Sequence, residues 1–388
     1  LPHILNEPAE SICEDNTMKK ILFFIPNLSV GGAEKVLVNL VNNMDRSKFD
    51  ITVQTLFAGG VNEQFLNADI KYKYCFKKTF RGNSQVLKMF SPKHLYKKFI
   101  KEHYDIIVSY LEGPTARIVS GCTDPNTKLV CWIHIEQHNI RDASYAFKSP
   151  EEAKSCYNKF DKIICVSEYV KKDFTEIFDY KKSVEVLYNT NETKQIINLS
   201  QECVDDVKFS DDEIKICVVG KVAKRKGCDR VVNIQKKLKS EGFNTHIFFL
   251  GVGSEEENIR LFAKNNGLEN SITLLGYQTN PYKYIAKCDM LICASFAEGF
   301  STAATEALIL GVPVVTVEVS GMKEMLGDNN QYGIVTDNDE DALYNGIKKI
   351  LSEDGMLKEY AERAKERGKF FSTENTVKAA EKMFLELV

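Results

Sequence analysis

Residues 289–306 read Asp-Met-Leu-Ile-Cys-Ala-Ser-Phe-Ala-Glu-Gly-Phe-Ser-Thr-Ala-Ala-Thr-Glu: a short apolar strand, a small-residue turn and the start of a helix. A strand feeding such a turn aims the helix's first free N–H groups out of the strand's carboxyl end, where they suit a phosphate. Glu298 sits at the lip of the turn. Glu306 follows eight positions later, about one and a half turns into the helix. A carboxylate there can accept hydrogen bonds from both hydroxyls of a ribose. The pair suits a nucleoside diphosphate joined to a second polyhydroxylated group. Glutamate also favours the first turn of any helix, so the surroundings must carry part of the reading.

Outward from that stretch the chain repeats strand then helix. Apolar runs occur at 21–25, 51–56, 106–109, 128–133, 162–166 and 184–187, and again at 214–219, 246–250, 272–275, 290–293, 314–317 and 333–336. Stretches of helical period separate them, as in 33–44 with Val36, Leu37, Leu40 and Val41. The alternation predicts α/β architecture: two doubly wound parallel sheets with helices on both faces, divided near 195–212. The expected units are 18–200, 201–370 and a terminal helix, 371–388, packed back on the first unit. Ligands bind such sheets outside the carboxyl ends of the strands.

Composition narrows the class. The 388 residues are 44% hydrophobic and 27% charged, which is globular and enough for two cores. The net charge of -3 gives no reason to expect nucleic acid. Eleven cysteines without metal-ligand spacing suit free thiols in a reducing cytoplasm. Residues 1–17 hold Glu7, Glu10, Glu14 and Asp15 but no Lys or Arg, unlike a secretory leader, and are expected to be an extension outside the fold. Between Lys71 and Lys101 lie ten basic residues, no acidic one, and interleaved Phe76, Phe80, Val86, Met89, Phe90 and Phe99. That pattern fits an anionic membrane surface, or else a solvated basic face over ordinary core.

Other turns fall at strand ends. Gly31-Gly32 follow the first strand and open a helix, where glycine lets backbone approach a ligand. Gly220-Lys221-Val222-Ala223-Lys224-Arg225-Lys226-Gly227 puts four cations in six residues, suited to a leaving diphosphate. His134 ends the strand 128–133, a place for substrate contact or for a structural histidine. Gly251-Val252-Gly253 lacks a third glycine and meets Glu255-Glu256-Glu257, so it reads as a plain turn before a helix. Asp337-Asn338-Asp339 looks like a metal motif but precedes a helical pattern and reads as an N-cap.

Taken together, Met18 to Val388 resembles the retaining glycosyltransferases of family 4, of two-domain GT-B type, nearest to bacterial enzymes of capsule, O-antigen and exopolysaccharide assembly. The resemblance rests first on the E-x7-E motif, Glu298 to Glu306. Gly31-Gly32-Ala33-Glu34, Ser109-Tyr110-Leu111-Glu112-Gly113-Pro114, Trp132-Ile133-His134, Tyr188-Asn189 and Ser320-Gly321 fit it in the same order. It implies that Glu306 holds the ribose, that Glu298 touches the donor sugar, and that Gly299, Phe300, Ser301 and Thr302 offer backbone to sugar and phosphate. Lys226 and Lys221 would grip the diphosphate, Gly32 would let the first domain close over it with Gly31 also in the substrate-binding set, His134 would contact the sugar, and the base would lie by Tyr277. The family usually has Arg where Lys221 stands, and Lys lacks the forked geometry. The implied catalytic set is His134, Lys226 and Glu298.

The implied reaction moves a hexose or N-acetylhexosamine from a UDP-sugar to a glycan hydroxyl, with no metal and no cofactor beyond the donor. The acceptor would ride on a polyprenyl diphosphate, with the enzyme peripheral to the inner face of the cell membrane through 71–101. Alternatives are a protein or small-molecule acceptor, a nucleotide-sugar epimerase, and a non-catalytic sugar-nucleotide-binding subunit on the same fold.

Overall fold

The computed structural model describes residues 18–29, 31–298, 300–319 and 321–388. The expectations for 1–17, Gly299 and Ser320 therefore lie outside the described residues.

Among the described residues thirteen strands form two sheets. The first holds β1 (Lys19–Ile25), β2 (Phe49–Phe57), β3 (Lys71–Phe76), β4 (Ile106–Ser109), β5 (Lys128–Ile133), β6 (Lys162–Cys165) and β7 (Val184–Val186), in the order β3-β2-β1-β4-β5-β6-β7. The second holds β8 (Ile214–Val219), β9 (Thr245–Leu250), β10 (Ile272–Gly276), β11 (Met290–Cys293), β12 (Val314–Val317) and β13 (Ile334–Thr336), in the order β10-β9-β8-β11-β12-β13. All neighbouring strands run parallel. Helices cover both faces, so central strands are apolar on both sides; Ile21 to Ile25 are wholly buried. In each sheet the strand order reverses once, between β1 and β4 and between β8 and β11. Those reversals leave a crevice at the carboxyl ends. The turns at 31–32, 110–114 and 220–227, and the residues 294–298 and 300–302, lie at those ends.

One strand departs from the sequence expectation. The basic stretch begins as β3, paired with β2 at the sheet edge. Lys71 pairs with Asp50 at 2.7 Å and Lys73 with Glu102 at 2.6 Å. Lysines on an edge strand discourage pairing with a second sheet. Helices Asn83–Met89 and Pro92–Phe99 follow. Phe76 and Phe99 join Phe57 in a packed aromatic group with Phe80 at its exposed edge, and Val86, Met89 and Phe90 are exposed as well. Buried Arg117 anchors this segment. It donates to the Leu87 carbonyl at 3.0 Å, to the Phe90 carbonyl at 2.8 Å, and to both oxygens of Glu152.

The two sheets meet along a mixed seam. Tyr188 packs against Phe300, Phe370 and Phe371 with centroids 5.2, 5.7 and 5.5 Å away. Its hydroxyl donates to Glu324 Oε1 at 2.6 Å, and Glu324 Oε2 accepts from the Glu168 N–H at 2.8 Å. The C-terminal part is three helices, Glu340–Ser352, Met356–Phe370 and Thr373–Leu385. The last crosses to the first sheet, where Phe384 meets Phe23, Phe49 and Trp132 edgewise or tilted. Burying that ring contributes about 2 kcal/mol. Asp339 caps the helix Glu340–Ser352, accepting from Asp341 and Ala342 N–H at 2.8 and 3.0 Å. The Asp337–Asp339 stretch is thus an N-cap, as read. Gly251 and Gly253 let the turn after β9 pack on the turn after β8, since a Cβ there would lie 1.9 Å from the Gly220 oxygen or 2.0 Å from the Val222 oxygen.

Candidate active site

Two helix N-termini face each other across the crevice. Helix Gly32–Asn43 starts after β1 with Gly31 extended at the cap and no side-chain cap bond. Helix Thr302–Ile309 starts after β11, capped by Ser301 Oγ, which accepts from the Ala304 N–H at 3.3 Å. A Cβ on Gly32 would lie 3.9 Å from Thr302 Cγ2, so the two ends are in near contact. Each helix end carries partial positive charge; at Thr302–Ile309 the first amides are free, whereas at Gly32–Asn43 the Glu34 carboxylate folds back over Gly31 and takes its own N–H. Phe300 contributes only backbone here, because its ring is buried with Tyr188 and Phe371.

Glu298 sits at the lip, accepting from Lys226 Nζ and, at 2.7 Å, from Ser295 Oγ. Lys226 reaches it because the turn Lys224–Lys226 ends at Gly227 with φ 69°. A Cβ on Gly227 would lie 2.0 Å from the Ala294 oxygen, so glycine is what lets the basic turn rest on the end of β11. Lys221 is exposed and forms no ion pair among the described residues, whereas Lys226 of the same turn pairs with Glu298. Tyr277 is exposed just past β10.

Glu306 is buried, 4% exposed, and meets a residue of the other sheet. Its Oε1 lies 2.6 Å from Lys35 Nζ and 3.3 Å from the Tyr282 hydroxyl, and Lys35 Nζ also donates to that hydroxyl at 2.7 Å. Burial opposes the charge on Lys35, but Glu306 and Tyr282 outweigh it and raise its pKa. Burial and the same carboxylate push the Tyr282 hydroxyl up to about 12.

His134 follows β5 directly, with its ring 4.9 Å from that of Tyr110. Burial lowers its pKa to about 3 against a hydrogen bond to the Tyr110 backbone, so the ring is neutral. Its Nε2 is buried without a partner among the described residues. The His134 N–H donates to Glu112 Oε2 at 3.0 Å. Burial raises Glu112 to about 7, opposed by backbone N–H groups of His134 and of Glu112 itself. Glu136, two residues after His134, is likewise raised by burial to about 7, with His138 pulling it down.

The structure thus brings Gly31, Gly32, Ser301, Thr302 and Glu306 to one place and Lys226 to Glu298. Sequence reasoning missed Lys35, Tyr282 and Ser295, and quoted Glu112 without giving it a place in the site. Lys35 had a signal: a cation in the first turn of a helix opposes the macrodipole and needs a partner elsewhere.

The family model for glycosyl transferases group 1 matches residues 201–368, and that for Glycosyltransferase Family 4 matches residues 30–194. A Campylobacter jejuni protein named N-acetylgalactosamine-N,N'-diacetylbacillosaminyl-diphospho-undecaprenol 4-alpha-N-acetylgalactosaminyltransferase is 27% identical over 95% of this chain and 100% of its own length. A second C. jejuni protein, an alpha-1,4-N-acetyl-D-galactosaminyltransferase acting on a GalNAc-containing diphospho-undecaprenol glycan, is 24% identical over 91% of this chain and 95% of its own. Among solved structures, Anabaena HepE in complex with UDP superposes with a TM-score of 0.72 at 18% identity, covering 95% of this chain and 100% of that one. Staphylococcus aureus TarM superposes with a TM-score of 0.72 at 15% identity, over 96% and 99%. Two family models that divide the chain at the same seam as its two sheets, and neighbours of GT-B fold, lead to one assignment: the chain belongs to the family 4 type of GT-B glycosyltransferases, related to enzymes of bacterial surface glycan synthesis.

Proposed function

We propose that this glycosyltransferase moves a hexose or N-acetylhexosamine from a UDP-sugar to a hydroxyl of a lipid-linked glycan, with retention and without a metal. The observation that carries the reading is the convergence of two helix N-termini with the Lys226–Glu298 pair at one mouth of the crevice. The Lys226 ammonium and the start of helix Thr302–Ile309 are in place to oppose the negative charge that a leaving diphosphate gathers, once the diphosphate shares Lys226 with Glu298 and displaces the Glu34 carboxylate from the end of helix Gly32–Asn43. Together they supply what a divalent cation supplies elsewhere. As the bond from the anomeric carbon to the diphosphate breaks, Lys226 and the amides of Thr302 and Ala303 hold the departing oxygens. Glu298 orients sugar hydroxyls, and the neutral His134 offers Nε2 as an acceptor for another. The acceptor hydroxyl bonds to the anomeric carbon on the face the phosphate leaves, and its proton passes to a phosphate oxygen. No residue of the chain is needed as a covalent nucleophile. The approach of the two sheets excludes water, which limits donor hydrolysis.

The lipid-linked acceptor draws support from the printed activities of the two C. jejuni relatives. It also draws support from exposed Val86, Met89 and Phe90 beside Lys88, Lys93, Lys97 and Lys98, held rigid by Arg117. No helix among the described residues is long and apolar enough to cross a membrane, so attachment would be to the surface. The test is a panel of UDP-sugars with the enzyme in EDTA, followed by NMR of the slowly released sugar. One UDP-α-sugar consumed, with its α anomer appearing first, supports the reading. A β anomer, or turnover only with added divalent cation, overturns retention or metal independence respectively.

A further inference from the structure

The contact between Lys35 and Glu306 joins the two sheets at the carboxylate assigned above to the ribose. We infer that Lys35 is an internal competitor for that carboxylate, an ammonium latch that holds the crevice closed until the donor's ribose displaces it. The inference rests on the proposed role of Glu306 and deepens it.

Three observations carry it. First, the partners come from opposite sides of the crevice. Lys35 lies in helix Gly32–Asn43 behind β1, whereas Glu306 and Tyr282 belong to the second sheet's helices. Second, the lone pairs of one oxygen are spoken for. Lys35 Nζ at 2.6 Å and the Tyr282 hydroxyl at 3.3 Å both approach Glu306 Oε1. A carboxylate oxygen has two acceptor positions. A vicinal diol that spans both oxygens must therefore take one of these places. Tyr282 shares the second sheet's body with Glu306, so Lys35 is the partner that domain movement can withdraw. Third, Lys35 has a reason to be there in the ligand-free protein. A buried carboxylate without a counter-charge is costly, and Glu306 is 4% exposed. The ammonium meets that need against the dipole of its own helix, whose N-terminus disfavours a cation.

The consequence is a coupling between donor binding and opening. Binding must break Lys35 from Glu306, so part of the donor's affinity is lost in releasing the latch. Once released, the ammonium stays one helical turn from Gly31 and Gly32, on the side of the crevice where the diphosphate is proposed to lie.

The experiment compares wild type with Lys35→Met and Lys35→Gln, each first checked for native circular dichroism. Small-angle scattering of the ligand-free proteins reads the latch without any nucleotide. Both variants are expected to show a larger radius of gyration than wild type. Calorimetry with UDP and with 2',3'-dideoxyuridine diphosphate reads the competition. UDP is expected to bind the variants about three- to tenfold more tightly than wild type, and the dideoxy nucleotide is expected to gain less. Unchanged scattering together with unchanged or weaker UDP binding overturns the latch. Equal wild-type affinity for UDP and its dideoxy analogue overturns instead the assignment of Glu306 to the ribose, so the two failures are distinguishable.

Discussion

Replacing Glu112 with Gln is expected to stabilise the protein above neutral pH and not in mild acid. The carboxyl follows β4, accepts the His134 N–H at 3.0 Å, and has no cationic partner among the described residues. Burial lifts its pKa from 4.5 to about 7. Between those values the folded state keeps a proton that the unfolded chain has released. Stability from this group is therefore fully present below about pH 4.5 and is lost as pH rises through about 7. The gap corresponds to roughly 3 kcal/mol at about 1.4 kcal/mol per pH unit. Gln keeps the acceptor for His134 N–H but adds an amide NH2 whose desolvation costs about 1 kcal/mol. The net gain is about 2 kcal/mol at pH 8, falling to nothing near pH 5. Trp132, the only tryptophan, lies two residues before His134 and makes the first domain's unfolding visible by fluorescence. Urea titrations at pH 5 and pH 8 should show the variant's midpoint displaced upward at pH 8 alone. Equal midpoints at both values, or a loss at pH 8, would mean that the carboxylate is paired or hydrated and that the burial argument fails.

Further outcomes follow from single contacts. Gly227→Ala places a methyl against the Ala294 oxygen at a φ of 69°, so the Lys224–Lys226 turn must lift from β11. Nucleotide affinity by calorimetry should fall at least tenfold while the first domain's urea midpoint, read by Trp132, stays put. Arg117→Met orphans the Leu87 and Phe90 carbonyls and frees Glu152. Two unsatisfied carbonyls and a carboxylate that can rehydrate cost about 3 kcal/mol, and a change under about 1 kcal/mol in the same titration would contradict the clamp. Charge reversal at Lys77, Lys78, Lys97 and Lys98 should reduce co-sedimentation with anionic vesicles and leave UDP affinity alone; undiminished sedimentation removes the membrane reading of 71–101.

Much of the fold was legible because parallel strands buried on both faces leave continuous apolar runs. Ile21–Ile25, Ile106–Ser109 and Met290–Cys293 announce themselves in that way. Lys71–Phe76 did not, because an edge strand is only half covered. Its alternating Lys and Tyr read as a basic surface, although the period of two was there to see. The placing of Glu298 and of the helix start at Ser301 was legible because strand, turn and helix lie within one short stretch; Lys226 was legible as part of a basic turn after β8, but its pairing with Glu298, 72 positions away, was not. Lys35 was not, because Glu306 is 271 positions away and only the approach of the two sheets joins them; Tyr282 was not, because the fold of the second unit brings it to Glu306 from 24 positions away. Glu112 fell in between. Its motif was quoted, but nothing in a sequence says that a carboxyl is buried without a counter-charge.

The account turns on whether the Glu298–Glu306 turn and the Lys226 turn form a nucleotide site. Calorimetric titration of UDP in EDTA, into wild type and into Glu306→Gln, tests that most directly. The account predicts binding to wild type without metal and at least a tenfold loss in the variant. No binding to the folded wild-type protein, or equal binding to both, would contradict it.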